Sequence, residues 1–102
     1  MASLKIGSGS TPAGTTKWKQ YPGGKGVFVD ISTSAAGFSS TPQYLTSIGG
    51  SSSHWSTTGA TSIYSPSSKG FRVYVRWANG NPLTPSDANR LKWHINWVGI
   101  ES

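Results

Sequence analysis

The sequence predicts an all-β domain, an antiparallel β-sandwich, and three observations carry that expectation. The runs Phe71–Trp77 and Leu91–Trp97 alternate strictly, so Phe71, Val73, Val75 and Trp77 share one face, and Leu91, Trp93, Ile95 and Trp97 share another. No segment carries a sustained helical period. Short apolar runs recur between Gly-, Ser- and Pro-rich stretches, the spacing of a small sandwich.

Residues 1–16, rich in Gly, Ser and Thr, form an N-terminal arm without periodicity, and the sandwich domain spans 17–102. Lys17–Tyr21 leads into the turn Pro22-Gly23-Gly24-Lys25-Gly26, whose glycines permit left-handed backbone and gather main-chain N–H groups. Val27–Ile31 alternates as the first strand. Phe38–Pro42 punctuates the chain, and Gln43–Ile48 has the length and β-branched content of a second strand. After the loop Gly49–Gly59, Ala60–Tyr64 is expected as a third strand, Phe71–Trp77 as a fourth, and Leu91–Ile100 as the last. One helical turn fits Pro85–Asn89, with Thr84 or Ser86 as its cap. Five or six strands result.

The chain has 102 residues, enough for one core, and no cysteine, so neither disulfides nor thiolate metal sites are available. Two histidines and three acids leave few ligands for a metal, and no cofactor is expected. The opening residues lack the apolar core of a signal peptide and no stretch approaches the roughly 18 apolar residues of a membrane helix, so a soluble chain of undetermined compartment is expected, without membrane insertion. The net charge of +6 raises the question of nucleic acid. Ile31–Ser68 holds no charged residue, however, and no nucleic-acid motif accompanies the cations, so that partner is not expected.

Catalysis is not expected either. A nucleophilic hydrolase needs a base beside its serine and a group to orient that base. His54 and His94 with Asp30 or Asp87 are the only material, and no nucleophile-elbow motif is present. Binding chemistry is better supplied. His54 and Trp55 sit in a Gly/Ser/Thr loop, where an indole stacks on the C–H side of a sugar and an imidazole offers a directional hydrogen bond; alternatively Trp55 folds back to plug the sandwich. Trp77 ends a core strand and serves either as core or as a contact at the rim. Arg72, Tyr74 and Arg76 project opposite to the apolar side of their strand, and Lys92, His94 and Asn96 do the same on theirs. If these strands are neighbours, the two rows make a cationic, aromatic surface suited to an acidic glycan or a subunit contact; if not, they are solvated outer faces. The loop Asn79–Arg90 is rich in hydroxyl-reading amide and carboxylate groups, which are also turn formers.

The order of Trp18, Pro22-Gly23-Gly24, Phe38 and Pro42, Ser47-Ile48, Tyr64, Gly70-Phe71, Trp77 and Asn96–Glu101 resembles the H-type lectin domain of snail agglutinins and slime-mould discoidins. That resemblance implies a six-stranded sandwich that binds glycans without catalysis, as a homotrimer with shallow sites near subunit boundaries. It places the site's glycine at Gly23 and its aromatic at Trp77. The site's aspartate falls on Lys25, its arginine on Thr58, and the histidine after the aromatic on Ala78. Lysine donates where aspartate accepts, so the family's preference for galactose or N-acetylgalactosamine is not expected to carry over. The candidate ligand-binding set is therefore Gly23 and Lys25 as turn donors, Trp55 and Trp77 as stacking surfaces, and His54, Asn79 and Asp87 as hydroxyl readers. The rival reading is a structural or protein-interaction sandwich, followed by a polyanion binder.

Overall fold

The computed structural model describes residues 3–102 and is an all-β sandwich of two antiparallel sheets. One sheet has three strands in the order β1 (Lys5–Ser10), β8 (His94–Glu101), β4 (Gln43–Gly49). The other is built on β3 (Val27–Ser32) and β7 (Gly70–Trp77), with β2 (Lys19–Gln20) beside β3 and with β5 (Thr57–Thr58) and β6 (Tyr64–Ser67) both paired to β7. In β3 and β7 the alternation sets the register. Val27 faces Val75, Val29 faces Val73 and Ile31 faces Phe71, and all six are buried. Tyr44 and Ile95 meet them from the opposite sheet, with Phe38, Leu83, Trp18 and Trp93 closing the core.

Trp93 has no exposed surface, and its indole N–H donates to the Ser52 carbonyl at 2.8 Å while its own carbonyl accepts from the Trp18 indole at 3.1 Å. Both polar edges of this buried aromatic pair are thereby satisfied. Tyr44 packs on Phe71 with ring centres 4.4 Å apart, and its hydroxyl donates to the Ser67 carbonyl at 2.6 Å.

The strands number eight rather than six, for three local reasons. The first is the Gly/Ser-rich arm, which is extended; its residues 5–10 pair along β8 from Glu101 to Asn96. Gly7 and Gly9 allow this, since a Cβ on either would collide with Ala36 or with the Trp97 indole. The second is β2, which pairs only two residues with β3. The third is the expected strand 60–64, which is not formed. Pairing to β7 is made at 57–58, lost over 59–63 and resumed at 64, because the chain turns at Gly59 (φ +106°), where the Ser62 N–H donates to the Gly59 carbonyl. The last strand also begins at His94 rather than Leu91, since Lys92 takes a left-handed φ of +59°.

Pro85–Arg90 is a short helix, α1. Thr84 caps it: the Asp87 N–H donates to the Thr84 hydroxyl and the Thr84 N–H donates to the Asp87 carboxylate, both at 3.2 Å. No helix among the described residues is long and apolar enough to cross a membrane.

Candidate functional site

Because β7 and β8 belong to different sheets, the outward rows Arg72/Tyr74/Arg76 and His94/Asn96 lie on opposite outsides of the sandwich and form no common surface. The β7 row builds a site of its own. A trough of about 570 Å³ crosses the outer face of the larger sheet, with Tyr74 and Arg76 as its floor. Tyr21 and Lys25, from the turn before β3, make one wall; Thr58, Ser62 and Tyr64, from the interrupted edge beyond β7, make the other.

The sequence opens this trough in two places. Val27 pairs with Val75, so the outward position across from Arg76 is Gly26, which has no side chain to fill it. On the other side, the 59–63 detour leaves β7 without a continuous edge partner, and Gly59 permits it because a Cβ there would collide with the Tyr74 carbonyl. Tyr74 stands at the centre of an aromatic cluster. The Tyr64 ring meets it edge-on at 5.0 Å, the Tyr21 ring edge-on at 5.7 Å, and Phe28 tilts against it at 5.6 Å. Tyr21 and Tyr64 are both exposed, so the trough has an apolar rim ending in phenol groups.

The charges of this face divide sharply. Arg72 forks onto Asp30, with Nε donating to Oδ1 at 2.7 Å and Nη2 to Oδ2 at 3.0 Å, and its guanidinium lies 4.3 Å from the centre of the Phe28 ring. The fork holds the Asp30 carboxyl below its ordinary range and raises the Arg72 pKa. Arg76 and Lys25 form no ion pair among the described residues. No carboxylate and no imidazole lines the trough, and no group of metal-ligating side chains occurs among the described residues.

Of the residues singled out from sequence, Lys25 lies in the trough, and Gly23 (φ +98°) shapes the turn that carries it. Trp77 is directed elsewhere: half-buried, its ring packs edge-on against Trp93 at 5.0 Å. Trp55 does not fold back to plug the sandwich. It sits on a single 3-10 turn, His54–Ser56, just ahead of β5, and is 89% exposed outside the trough lining. His54 is half-buried and lies against Gly50, its Nδ1 enclosed without a hydrogen-bond partner.

Asn79 turns back on its own loop, where its side-chain oxygen accepts from the Asn81 N–H at 2.9 Å. Asp87 is spent on the helix cap, and the Thr84 hydrogen bonds, with Arg90 at 3.4 Å, hold its carboxyl below the ordinary range. Neither lines the trough.

Sequence reasoning found the floor, since alternation alone turns Tyr74 and Arg76 outward. It missed the walls Tyr21, Ser62 and Tyr64, whose positions depend on pairing and on the break after Thr58. A smaller hollow of about 260 Å³ lies between the arm, β3 and Trp97, and its one carboxylate, Asp30, is the one held by Arg72. No protein-family model matches this chain, and no curated protein matches it significantly.

Proposed function

We propose that this protein is a non-catalytic glycan-binding β-sandwich that gains avidity by presenting several shallow sites from one homo-oligomer. The observation that carries the reading is the trough itself. Lys25 and Thr58, the positions onto which the H-type lectin resemblance maps two sugar-site residues, come from segments 33 residues apart and line opposite walls of one hollow. Exposed tyrosine rings suit the C–H side of a sugar, and the Thr58, Ser62 and tyrosine hydroxyls suit its hydroxyl groups. A lining without carboxylate or imidazole lacks a conventional general base, which favours binding over turnover.

The oligomer has a surface to form on. On the outer face of the three-stranded sheet, Ile6 is directly opposite Ile100 and Leu45 directly opposite Val98, and Leu4 extends the apolar strip. Leu4, Ile6 and Leu45 are all exposed, and no outward residue of these three strands is charged. Copies of a +6 chain repel wherever their cations meet, so this uncharged face is where a second copy approaches at least cost. A homotrimer, as the resemblance implies, links three sites and raises avidity by roughly 10² to 10⁴.

A glycan array read at low and at physiological salt tests the binding. Selective signals that survive salt are expected; uniform binding abolished by salt would replace this reading with a polyanion binder. Light scattering tests the assembly, and a monomer throughout the micromolar range would remove the avidity argument.

A further inference from the structure

We infer that the trough selects acidic sugars, with Arg76 and Lys25 receiving a carboxylate or sulfate while the tyrosine rim receives the apolar side of the ring. The inference rests on the glycan-binding reading and narrows it to a substrate class.

The argument begins with the supply of negative charge. The chain has three acids, and each is engaged away from the trough. Asp30 holds Arg72, Asp87 caps α1, and Glu101 accepts from the Ser40 N–H and from the Ser39 and Ser40 hydroxyls, which keep its carboxyl below the ordinary range. No carboxylate of the described residues remains to neutralise the trough. The strand register places glycine on one side of Arg76 and Thr58 on the other, so its neighbours across both strands are uncharged.

A guanidinium is a planar fork of donors that matches the two oxygens of a carboxylate or sulfate, and Lys25 adds a point charge from the adjoining wall, one residue from the glycine across from Arg76. An exposed arginine on a strand is commonly just solvated. Here two cations with no ion-pair partner among the described residues lie side by side in a hollow walled by tyrosine, and the acid-bearing ligand supplies what the protein withholds. Neutral galactose would leave both cations without a partner.

The test is calorimetric titration of the full chain with the methyl glycosides of galactose, galacturonic acid and galactose 6-sulfate, and with a short single-stranded oligonucleotide. Each is titrated at low and physiological salt. The acidic sugars are expected to bind roughly tenfold more tightly than the galactoside. Arg76→Gln and, separately, Lys25→Gln should abolish that preference with an unchanged melting curve, while Lys69→Gln, in the turn at the far end of β7, should preserve it. Equal affinity for neutral and acidic sugars overturns the inference and leaves glycan binding standing. Tight oligonucleotide binding that is lost in salt and indifferent to Arg76→Gln overturns both, as does the absence of any sugar binding.

Discussion

Arg72 and Arg76 occupy the same strand and the same face, one turn of the pleat either side of Tyr74, yet their surroundings are opposite. Arg72 lies across from Asp30 and is held by two hydrogen bonds to its carboxylate, by the face of Phe28 and by the Tyr74 hydroxyl at 3.3 Å. Arg76 lies across from Gly26 and has no charged partner among the described residues. The outward residues of the partner segment, Gly26, Phe28 and Asp30, decide the difference. One arginine stitches two strands together and the other stays available to a ligand. The lesson is that residue type does not assign the role; the cross-strand neighbour does.

The tryptophans give the same lesson at larger amplitude. Trp93→Ala removes a fully buried indole that donates to Ser52 and backs Trp77, and loss of such a side chain typically costs about 3 to 5 kcal/mol. Against the roughly 5 to 15 kcal/mol of a small domain, that is a large fraction of the total, and the melting temperature should fall sharply. Trp55→Ala, at 89% exposure, should leave the thermal melt unchanged and monosaccharide affinity intact, because Trp55 does not line the trough. A lower melting temperature for Trp55→Ala would show that exposure is a poor guide to role on this scaffold. Trp97, which alternation puts on the same apolar face as Trp93, is only half-buried, so its loss should fall between the two.

Gly26→Asp attacks the comparison directly by giving Arg76 the partner that Arg72 already has. A Cβ at Gly26 lies 3.2 Å from the Val75 carbonyl, a close but adjustable contact, and 3.6 Å from the Arg76 Cβ. The new carboxylate should pair with Arg76 and lower acidic-sugar affinity roughly tenfold, with Gly26→Ala as the control for filled space alone. Calorimetry on both variants separates charge from volume. If Gly26→Asp keeps the preference for acidic sugars, the vacancy opposite Arg76 is not what makes it a binding group.

This contrast also marks what the sequence reveals. The alternation in 27–31 and 71–77 is enough to place the larger sheet's core and to turn Arg72, Tyr74 and Arg76 outward. The cap at Thr84 is legible because Asp87 follows three residues later. What is not legible depends on long-range register. Whether Arg76 meets an acid or a glycine requires knowing that Val27 pairs with Val75, and the Gly/Ser arm shows no inward apolar period because its core-facing positions Gly7 and Gly9 carry no side chain while its one large apolar strand residue, Ile6, points outward. The amide of Asn79 and the carboxylate of Asp87 suit hydroxyl reading and turn formation equally, and local hydrogen bonds take both.

Acid separates the two ends of β7 without mutation. Asp30, Asp87 and Glu101 all have folded-state pKa values below their unfolded values of 3.8, 3.8 and 4.5, held there chiefly by Arg72, Thr84 and Ser40 respectively. A depressed carboxylate contributes stability above its unfolded pKa, and that stability is lost as pH falls through the folded pKa. Thermal melts should therefore be insensitive to these groups between about pH 5 and 8 and decline below about pH 4. The trough has no carboxylate or imidazole, so affinity for a sulfated sugar should not vary over that upper range. A steep change in affinity between pH 5 and 8 would mean that a histidine reaches the site after all.

The smallest expected effect belongs to the arginine with the most contacts. Arg72→Gln breaks the Asp30 fork, but the two side chains retain 34% and 53% of their exposure, so water and salt screen the pair and its net contribution is modest. The melting temperature should drop slightly at low salt and the drop should shrink as salt is added, whereas Arg76→Gln should not move it at either salt. Asp30→Asn supplies the other half of the cycle: if the fork is the source of the effect, Asp30→Asn combined with Arg72→Gln should cost less than the two single losses added. Strict additivity would instead assign the loss to the stacking of Arg72 on Phe28, which needs no carboxylate, and the two ends of β7 would then differ in their aromatic neighbours rather than in their charge partners.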